Sequence, residues 1–173
     1  ESTAGIYIQG CDDHHTILNI NGAPIYYPNH LLGLFSSFIP AHFQSMNVEK
    51  SAHTAQFANR LGGSVELVPN TRFDRKVGVE GNVGLISSEL TVPASLGKKS
   101  DLYLSARSSY IDMLYGKWLK FEGYDIDYDF QDFNATYSYR PTYRDELVLL
   151  GYYGMDKLGV DDRISTIDIG VRW

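Results

Sequence analysis

Alternation between apolar and polar side chains in the second half of the chain constrains its fold more than any other feature. From Phe133 to Arg140, apolar or aromatic residues occupy every second position, and mostly polar residues lie between them. Successive side chains of a β-strand point to opposite faces, so this run predicts a strand with one apolar and one polar face. The apolar face carries Phe133, Ala135, Tyr137 and Tyr139, and the polar face carries Asp132, Asn134, Thr136, Ser138 and Arg140.

Two other runs alternate in the same way, at residues 102–107 and at residues 165–173. Arg107 falls on the polar face of the first run, and Asp168 falls on the polar face of the second. With the turn-forming residues between the runs, this pattern predicts about six antiparallel strands. We place them at residues 75–83, 85–95, 101–113, 130–140, 145–156 and 163–173.

Residues before about position 70 are more varied and predict a small α+β unit. Asn21-Gly22 lies between the apolar runs "TILNI" and "APIYY", and this dipeptide is the strongest short-range signal of a β-hairpin. Further strands are predicted in "GIYIQG", "FQSMNVEKS" and "GSVELVP", and a short helix in "HLLGLFSSF". The predicted fold class is therefore mainly β, with an α+β unit followed by antiparallel strands.

Charge, cysteine content and motifs argue against several classes of function. The formal net charge of −6 disfavours a nucleic-acid-binding protein, because such proteins carry a basic surface. The single cysteine, Cys11, cannot form an internal disulfide, and we expect it to be a loop residue rather than a nucleophile. The sequence has neither a G-x-S-x-G elbow nor a glycine-rich phosphate loop, so we expect neither an enzyme nor a cofactor.

Two architectures remain open for strands with one apolar face. In a soluble or cell-surface β-sandwich the apolar faces pack against a second sheet, whereas in an outer-membrane barrel they face lipid and the polar faces line the lumen. Predicted short turns and longer loops alternate along the chain, which is typical of outer-membrane barrels. The last predicted strand has no partner on one side, so we expect the chain to be incomplete.

Four segments before position 70 form an ordered pattern. They are "IQG" at 8–10, "TILNINGAPI" at 16–25, "FIPAHFQSMNVEKS" at 38–51 and "AQFANRLGGSVELVPN" at 55–70. In order and spacing they resemble the plug of TonB-dependent outer-membrane receptors. The residues of the plug motif are Asn21, Gly22, Arg60, Gly62 and Gly63. Later segments are similar to the first barrel strands of Bacteroidetes-type receptors.

The chain departs mildly from the pattern of that family. Asn21 replaces an aspartate, Ser51 replaces a glycine, and Asn70 replaces a lysine. Phe57-Ala58 stands where Tyr-Gly is common in the family. The Gly62-Gly63 pair is kept, and we expect it to allow the backbone to approach a neighbouring wall closely.

The resemblance implies a domain division, a size and a location. Residues 1–72 correspond to the C-terminal part of the plug, and residues 73–173 to about the first six strands of the transmembrane β-barrel. Plugged outer-membrane transporters have about 22 strands, which need roughly 200 residues at about 9–11 residues each. The chain has 173 residues, so we expect a fragment of a larger receptor of the bacterial outer membrane.

The resemblance also implies a function and partners. A receptor of this family imports a nutrient, such as a glycan, a peptide or a metal chelate, and the proton-motive force drives import through TonB. The expected partners are TonB with its inner-membrane energising complex, outer-membrane lipid and the nutrient, with a surface lipoprotein as a further candidate. No covalent chemistry is expected.

Two loops are the candidate ligand contacts that the resemblance implies. The loop after the Asn-Gly turn rises toward the extracellular mouth in the family, which makes candidates of Tyr26, Tyr27, Asn29 and His30. Alternatively, the two tyrosines pack against the barrel wall. The second loop contributes Asp12, His14 and His15. Arg107 faces the lumen by this alternation, and it is a further candidate for contacting the plug.

Histidines near "CDDHH" raise the alternative of a metal site. His30, His42 and His53 are near this segment in sequence, and zinc sites use histidine and aspartate. Adjacent His14 and His15 point to opposite sides of an extended segment, so we predict a polar loop and no metal. A metal hydrolase would require at least three of the histidines within ligand distance.

Overall fold

The computed structural model is mainly β, and antiparallel pairs dominate its sheets. It describes residues 6–8, 10–11, 15–26, 29–30, 33–50, 62–115, 120–121, 124–161 and 166–172, with residues 120–121, 124–126, 160–161 and 166–172 described by backbone alone. Residues 1–70 and residues 71–173 form two compact units. The prediction of a mainly β, antiparallel chain is confirmed.

Unit 1 (residues 1–70) contains a four-stranded sheet. Its strands are β1 (Ile17–Ile20), β2 (Ala23–Ile25), β5 (Phe43–Glu49) and β6 (Ser64–Pro69), in the order β2-β1-β6-β5. The β1–β6 pair is parallel and the other two pairs are antiparallel. A separate small hairpin pairs β3 (Asn29–His30) with β4 (Phe35–Ser36), and a 3₁₀ helix covers Pro40–His42.

The predicted Asn-Gly hairpin is confirmed at the start of this sheet. Asn21 and Gly22 have φ angles of 49° and 80°, and left-handed conformations at both central residues are what a type I′ turn requires. The Gly22 N–H donates to Glu66 Oε1 at 2.7 Å, which ties the turn to β6. Leu18 and Ile20 of β1 pair with Val65 and Leu67 of β6 and form the buried core of the unit.

Gly63 occupies a position where no side chain fits. A Cβ atom there would lie 2.3 Å from Ile8 Cδ1 and 2.6 Å from the Glu49 carbonyl oxygen. Both distances are below any real Cβ contact, and the carbonyl oxygen belongs to the backbone and cannot swing aside. Gly63 is therefore required by the close approach of its backbone to neighbouring chain segments.

One prediction for unit 1 is wrong. "GIYIQG" is not a strand at residues 6–8, because the Cys11 N–H bonds to the Ile8 carbonyl (3.1 Å) and closes a turn at Gly10, whose φ is 76°. In "HLLGLFSSF", His30 pairs with Phe35 in the β3–β4 hairpin. Between them Gly33 lies in a 3₁₀ turn and the Leu34 N–H donates to the His30 carbonyl (3.1 Å). Residues 31–32 lie outside the described residues, so the short helix stays a prediction.

Unit 2 (residues 71–173) is one antiparallel sheet with a very short helix. Its strands are β7 (Glu80–Val83), β8 (Ser87–Ser95), β9 (Ser100–Ser109), β10 (Lys120–Phe121), β11 (Tyr124–Tyr139), β12 (Leu147–Asp161) and β13 (Thr166–Arg172). The order is β13-β12-β11-β9-β8-β7, with β10 paired to the start of β11. Helix α1 covers Ile111–Tyr115, between β9 and β10.

The predicted strands exist, but several of their ends are wrong. Only residues 80–83 of the first predicted strand form β7, and an isolated bridge joins Val77 to Ala94. The prediction at 101–113 overran β9, because Leu114 N–H bonds to the Tyr110 carbonyl (3.1 Å) and begins α1. β11 and β12 instead extend past their predicted ends, since pairing continues to Asp125 opposite Asp161.

Substitution of Gly63 by alanine tests the close approach of the backbone in unit 1. We expect Gly63→Ala to lower the free energy of unfolding by about 1–3 kcal/mol, the usual cost of overpacking. Gly151→Ala is the matched control, because a Cβ atom at Gly151 would meet nothing within 4 Å. Denaturant unfolding of both variants measures the difference, and an equal effect of the two substitutions would contradict the assignment.

Candidate functional site

The central part of β11, in the sheet of unit 2, buries its polar face and exposes part of its apolar face. On β11 the apolar-face residues Phe133 and Tyr139 are 43% and 38% exposed. The intervening polar residues are all at most 3% exposed, and they are Asp132, Asn134, Thr136 and Ser138. Soluble sheets have the opposite arrangement, with the apolar side inside. The predicted alternation of β11 is therefore confirmed, and its polar face is the covered one.

Cross-strand pairing joins the exposed apolar residues into a belt. Each row of the belt takes one outward residue from each of β8, β9, β11 and β12. The rows are Leu90, Ala106, Phe133 and Tyr153; Val92, Leu104, Ala135 and Gly151; and Ala94, Leu102, Tyr137 and Leu149. Contiguous apolar surfaces of this kind mark interaction surfaces. We call these twelve residues the apolar belt.

An ion pair lies at the centre of the covered polar face. Arg107 of β9 is directly opposite Asp132 of β11, and its Nε and Nη2 atoms donate to Asp132 Oδ2 at 2.9 and 2.5 Å. The side chains are 10% and 0% exposed. The Arg107 guanidinium also lies 5.1 Å from the centre of the Phe130 ring, a cation–π distance. Arg107 thus lies on the predicted face, and Asp132 is its partner there.

The rows next to this pair are also polar. Thr91 and Ser105 face each other across β8 and β9, with their hydroxyl oxygens 2.8 Å apart. Asn134 continues this row on β11. Its buried Nδ2 group donates no hydrogen bond to any of the described residues. Buried amides are rarely left in this state, so the polar face offers an unsatisfied donor.

A set of hydrogen bonds holds the first residues of unit 2 against this face. Ser138 Oγ and Arg140 Nη1 both donate to the Thr71 carbonyl, at 2.5 and 2.9 Å. The Tyr103 hydroxyl donates to the Arg72 carbonyl at 2.8 Å, and its ring packs edge-on against Phe73. The segment from Thr71 to Phe73 is therefore fixed to strands β9 and β11.

The candidate ligand loops are only partly described. Tyr26 is 72% exposed and Asn29 is half-buried, whereas His30 is fully buried. His15 is exposed. Tyr27, Asp12 and His14 lie outside the described residues. The exposed tyrosine fits a ligand-contact role, His30 presents no surface to a ligand in this structure, and the whole set stays a prediction.

The described residues of the predicted plug motif lie at opposite ends of the parallel β1–β6 pair, with Gly62 and Gly63 at its start and Asn21 and Gly22 just past its end. The Gly62 N–H donates to the His15 carbonyl (2.8 Å), and the Ile17 N–H donates to the Gly63 carbonyl (3.1 Å). Arg60 lies outside the described residues. The glycine pair therefore begins the parallel β1–β6 pairing, next to the loop that carries His15.

His42 is buried at the end of the 3₁₀ helix, at 1% exposure. Its ring packs edge-on against Phe43, with the ring centres 5.4 Å apart, and its carbonyl accepts the Asn70 N–H (3.0 Å). Burial lowers the pKa of the imidazole from 6.5 to about 4, because the charged form loses its hydration. His42 is therefore neutral at pH 7.

Metal ligation and helical membrane crossing find no support in the described part of the chain. No group of three or more histidine, cysteine or acidic side chains is placed there to hold a metal ion. No helix among the described residues has the length and apolar character needed to cross a membrane. Comparison of the chain with protein-family models, with curated proteins and with solved structures gives no match.

Sequence reasoning placed Arg107 on the polar face but missed its partner. Asp132 and Arg107 lie on predicted strands of opposite direction, and their pairing depends on the register between β9 and β11. A search for opposite charges on the polar faces of neighbouring strands could have found the pair, because cross-strand ion pairs stabilise one register. The fixed segment at Thr71 had no comparable signal, since its contacts are made by backbone carbonyls.

Removal of the arginine tests the buried pair. We expect Arg107→Met to cost about 3–5 kcal/mol of unfolding free energy, because Asp132 is left buried without a counter-charge. The double variant Arg107→Met/Asp132→Asn removes both charges and should recover much of this loss. Denaturant unfolding of the two variants measures the difference, and a double variant no more stable than the single one would contradict the pairing.

Titration of His42 tests its burial. The folded pKa is depressed, so neutral His42 contributes stability that is complete above about pH 6.5 and is lost as the pH falls through about 4. The loss amounts to about 3 kcal/mol for a shift of this size. NMR titration of the imidazole resonances, assigned with a His42→Gln variant, should give a pKa near 4. A pKa near 6.5 would mean that water reaches the ring.

Proposed function

We propose that this chain is part of a TonB-dependent transporter of the bacterial outer membrane. In this proposal unit 2 is a section of the barrel wall, and unit 1 is the C-terminal part of the plug. The observation that carries the proposal is the inverted polarity of the unit 2 sheet, which exposes the apolar belt and buries Asp132 and Asn134. A lipid-facing strand has this polarity, with polar residues toward the lumen.

The dimensions of the exposed face support lipid as its neighbour. Leu147 and Leu149 are 53% and 57% exposed, and burial of one such side chain is worth about 1.5–3 kcal/mol. Outward residues of β12 remain apolar or glycine from 147 to 155, a length of about nine residues that matches the about 9–11 of a membrane strand. Lys157 follows at the next outward position and is exposed.

Aromatic residues at both edges of the apolar belt add to this support. Phe133 and Tyr153 form one edge, while Tyr137 lies in the row at the other edge, with Tyr139 beyond it. Outer-membrane barrels carry aromatic girdles at the two membrane interfaces. A β-sandwich would instead cover Phe133 and Leu149 with a second sheet, and their exposure weighs against that alternative.

The proposed activity is import of a nutrient, driven by the proton-motive force through TonB. Tyr26 is 72% exposed, and a tyrosine offers both an apolar ring and a hydroxyl group to a glycan, peptide or chelate. The Arg107–Asp132 pair belongs to the proposed lumen wall. The proposed partners are TonB with its energising complex, outer-membrane lipid and a surface lipoprotein.

A charge in the apolar belt separates the transporter from a soluble protein. In a lipid-facing strand, Leu149→Arg should cost about 2–4 kcal/mol and reduce the amount of folded protein in the outer membrane. In a soluble protein the same change at an exposed leucine should be nearly neutral. Leu34→Arg is the matched control, because Leu34 lies in unit 1 and is 56% exposed, like Leu149, and should tolerate arginine in both cases.

The measurement is the heat-modifiable band of the native protein on gels of separated membrane and soluble fractions. We expect a membrane-bound band far larger than the 19.5 kDa of this chain, with a lower yield for Leu149→Arg and an unchanged yield for Leu34→Arg. A soluble protein near the mass of this chain, equally stable in both variants, would overturn the proposal.

A further inference from the structure

Three short segments come together at one end of the unit 2 sheet. They are residues 71–76 before β7, residues 96–99 between β8 and β9, and residues 140–146 between β11 and β12. The Ser95 N–H donates to the Lys76 carbonyl (3.0 Å), and the Arg140 N–H donates to the Lys99 carbonyl (2.8 Å). Lys99 Nζ donates to the Pro141 carbonyl at 2.7 Å. We call these three segments the basic turn end.

The basic turn end carries a local excess of positive charge in a chain whose net charge is −6. Its basic residues are Arg72, Arg75, Lys76, Lys98, Lys99, Arg140 and Arg144, and its acidic residues are Asp74, Asp145 and Glu146. Of these acids, Glu146 pairs with Arg140 at 3.2 Å, and Arg140 also pairs with the buried Asp101 at the start of β9. Except for Arg140, all of the basic residues are exposed.

The opposite end of the same sheet has the opposite charge. There the described charged side chains are Glu89, Asp112, Asp127, Asp129 and Asp156, with Lys157, besides the mutually paired Arg107 and Asp132. The chain therefore separates positive from negative charge along the strands, on either side of the apolar belt. A separation of this kind gives the two ends different electrostatic partners.

The basic turn end begins where the apolar belt stops. Leu149 lies in the last belt row, and Leu147 follows it on β12, next to the turn. Leu96, in the turn between β8 and β9, is 56% exposed. Long basic side chains beside a lipid-facing surface place their charge at the level of the headgroups. The basic residues are thus positioned to meet phosphate groups.

The turn at residues 140–146 adds an interfacial aromatic residue. Tyr143 is 88% exposed, and the Arg144 guanidinium lies 5.0 Å from its ring centre. Tyrosine is enriched at membrane interfaces, and a guanidinium group binds phosphate oxygens in pairs. The stacked pair thus combines a headgroup-level anchor with a phosphate-binding group.

We propose that the basic turn end binds the anionic phosphodiester headgroups of the adjacent membrane leaflet. This inference rests on the proposed function, because it requires the apolar belt to lie in lipid. The occupant is phospholipid rather than an acidic protein, since the charge directly adjoins the lipid-facing surface and is spread along its edge. Anionic phospholipids such as phosphatidylglycerol are therefore enriched around this end of the sheet.

The test compares two spin-labelled lipids around the protein reconstituted in phosphatidylcholine vesicles. Electron paramagnetic resonance gives the relative association of phosphatidylglycerol and phosphatidylcholine with the protein surface. A basic residue near an anionic surface is worth about 1 kcal/mol, or about fivefold in binding. We expect Lys76→Gln/Lys98→Gln to reduce the preference for phosphatidylglycerol at least about twofold. We expect 1 M NaCl to abolish it, because the Debye length is then about 3 Å.

The matched control removes the same charge elsewhere. Lys50→Glu changes the charge by the same two units at one exposed lysine of unit 1, and should leave the preference unchanged. Equal association of both lipids with the wild-type protein, or an equal loss in both variants, would overturn the inference alone. A protein that restricts the motion of neither lipid would overturn the proposed function together with the inference.

Discussion

The register of β9 and β12 against β11 is the constraint on which the two-faced sheet depends. Side chains alternate with a period of two, so a slip of one residue would move Asp132 to the apolar face. In the observed register Arg107 faces Asp132, while Ala106 faces Phe133 on the other side. A buried carboxylate without a partner is costly, so the polar and apolar faces both favour the same pairing.

The two surfaces of this sheet organise the functional proposals. The outer surface has an apolar belt with aromatic residues at its edges, followed at one end by exposed lysines and arginines. The inner surface has a buried ion pair and an amide donor at Asn134 without a partner among the described residues. One strand pairing thus produces a surface suited to lipid tails, a rim suited to headgroups and a wall suited to a polar lumen.

Much of the fold could be predicted from local pattern, while the ends of its elements could not. The Asn21-Gly22 turn and the alternation at residues 132–140 are local properties, and the structure has both. The aspartate-rich segment from Asp125 to Asp129 has the composition of a loop, yet it continues β11 because β12 supplies partners for its backbone. Cross-strand hydrogen bonds overrode local propensity there. Among the candidate site residues, Tyr26 is exposed and His30 is buried.

The sequence by itself determined which residues share a face of each strand, since that depends only on the geometry of an extended chain. It also determined the tight turn at Asn21-Gly22, because few dipeptides adopt two left-handed conformations. Only the tertiary structure decided that the polar face of β11 is the covered one, that Arg107 meets Asp132 and that three basic turns share one end. These features depend on register and on partners distant in sequence, and alternation within a single strand contains no information about either.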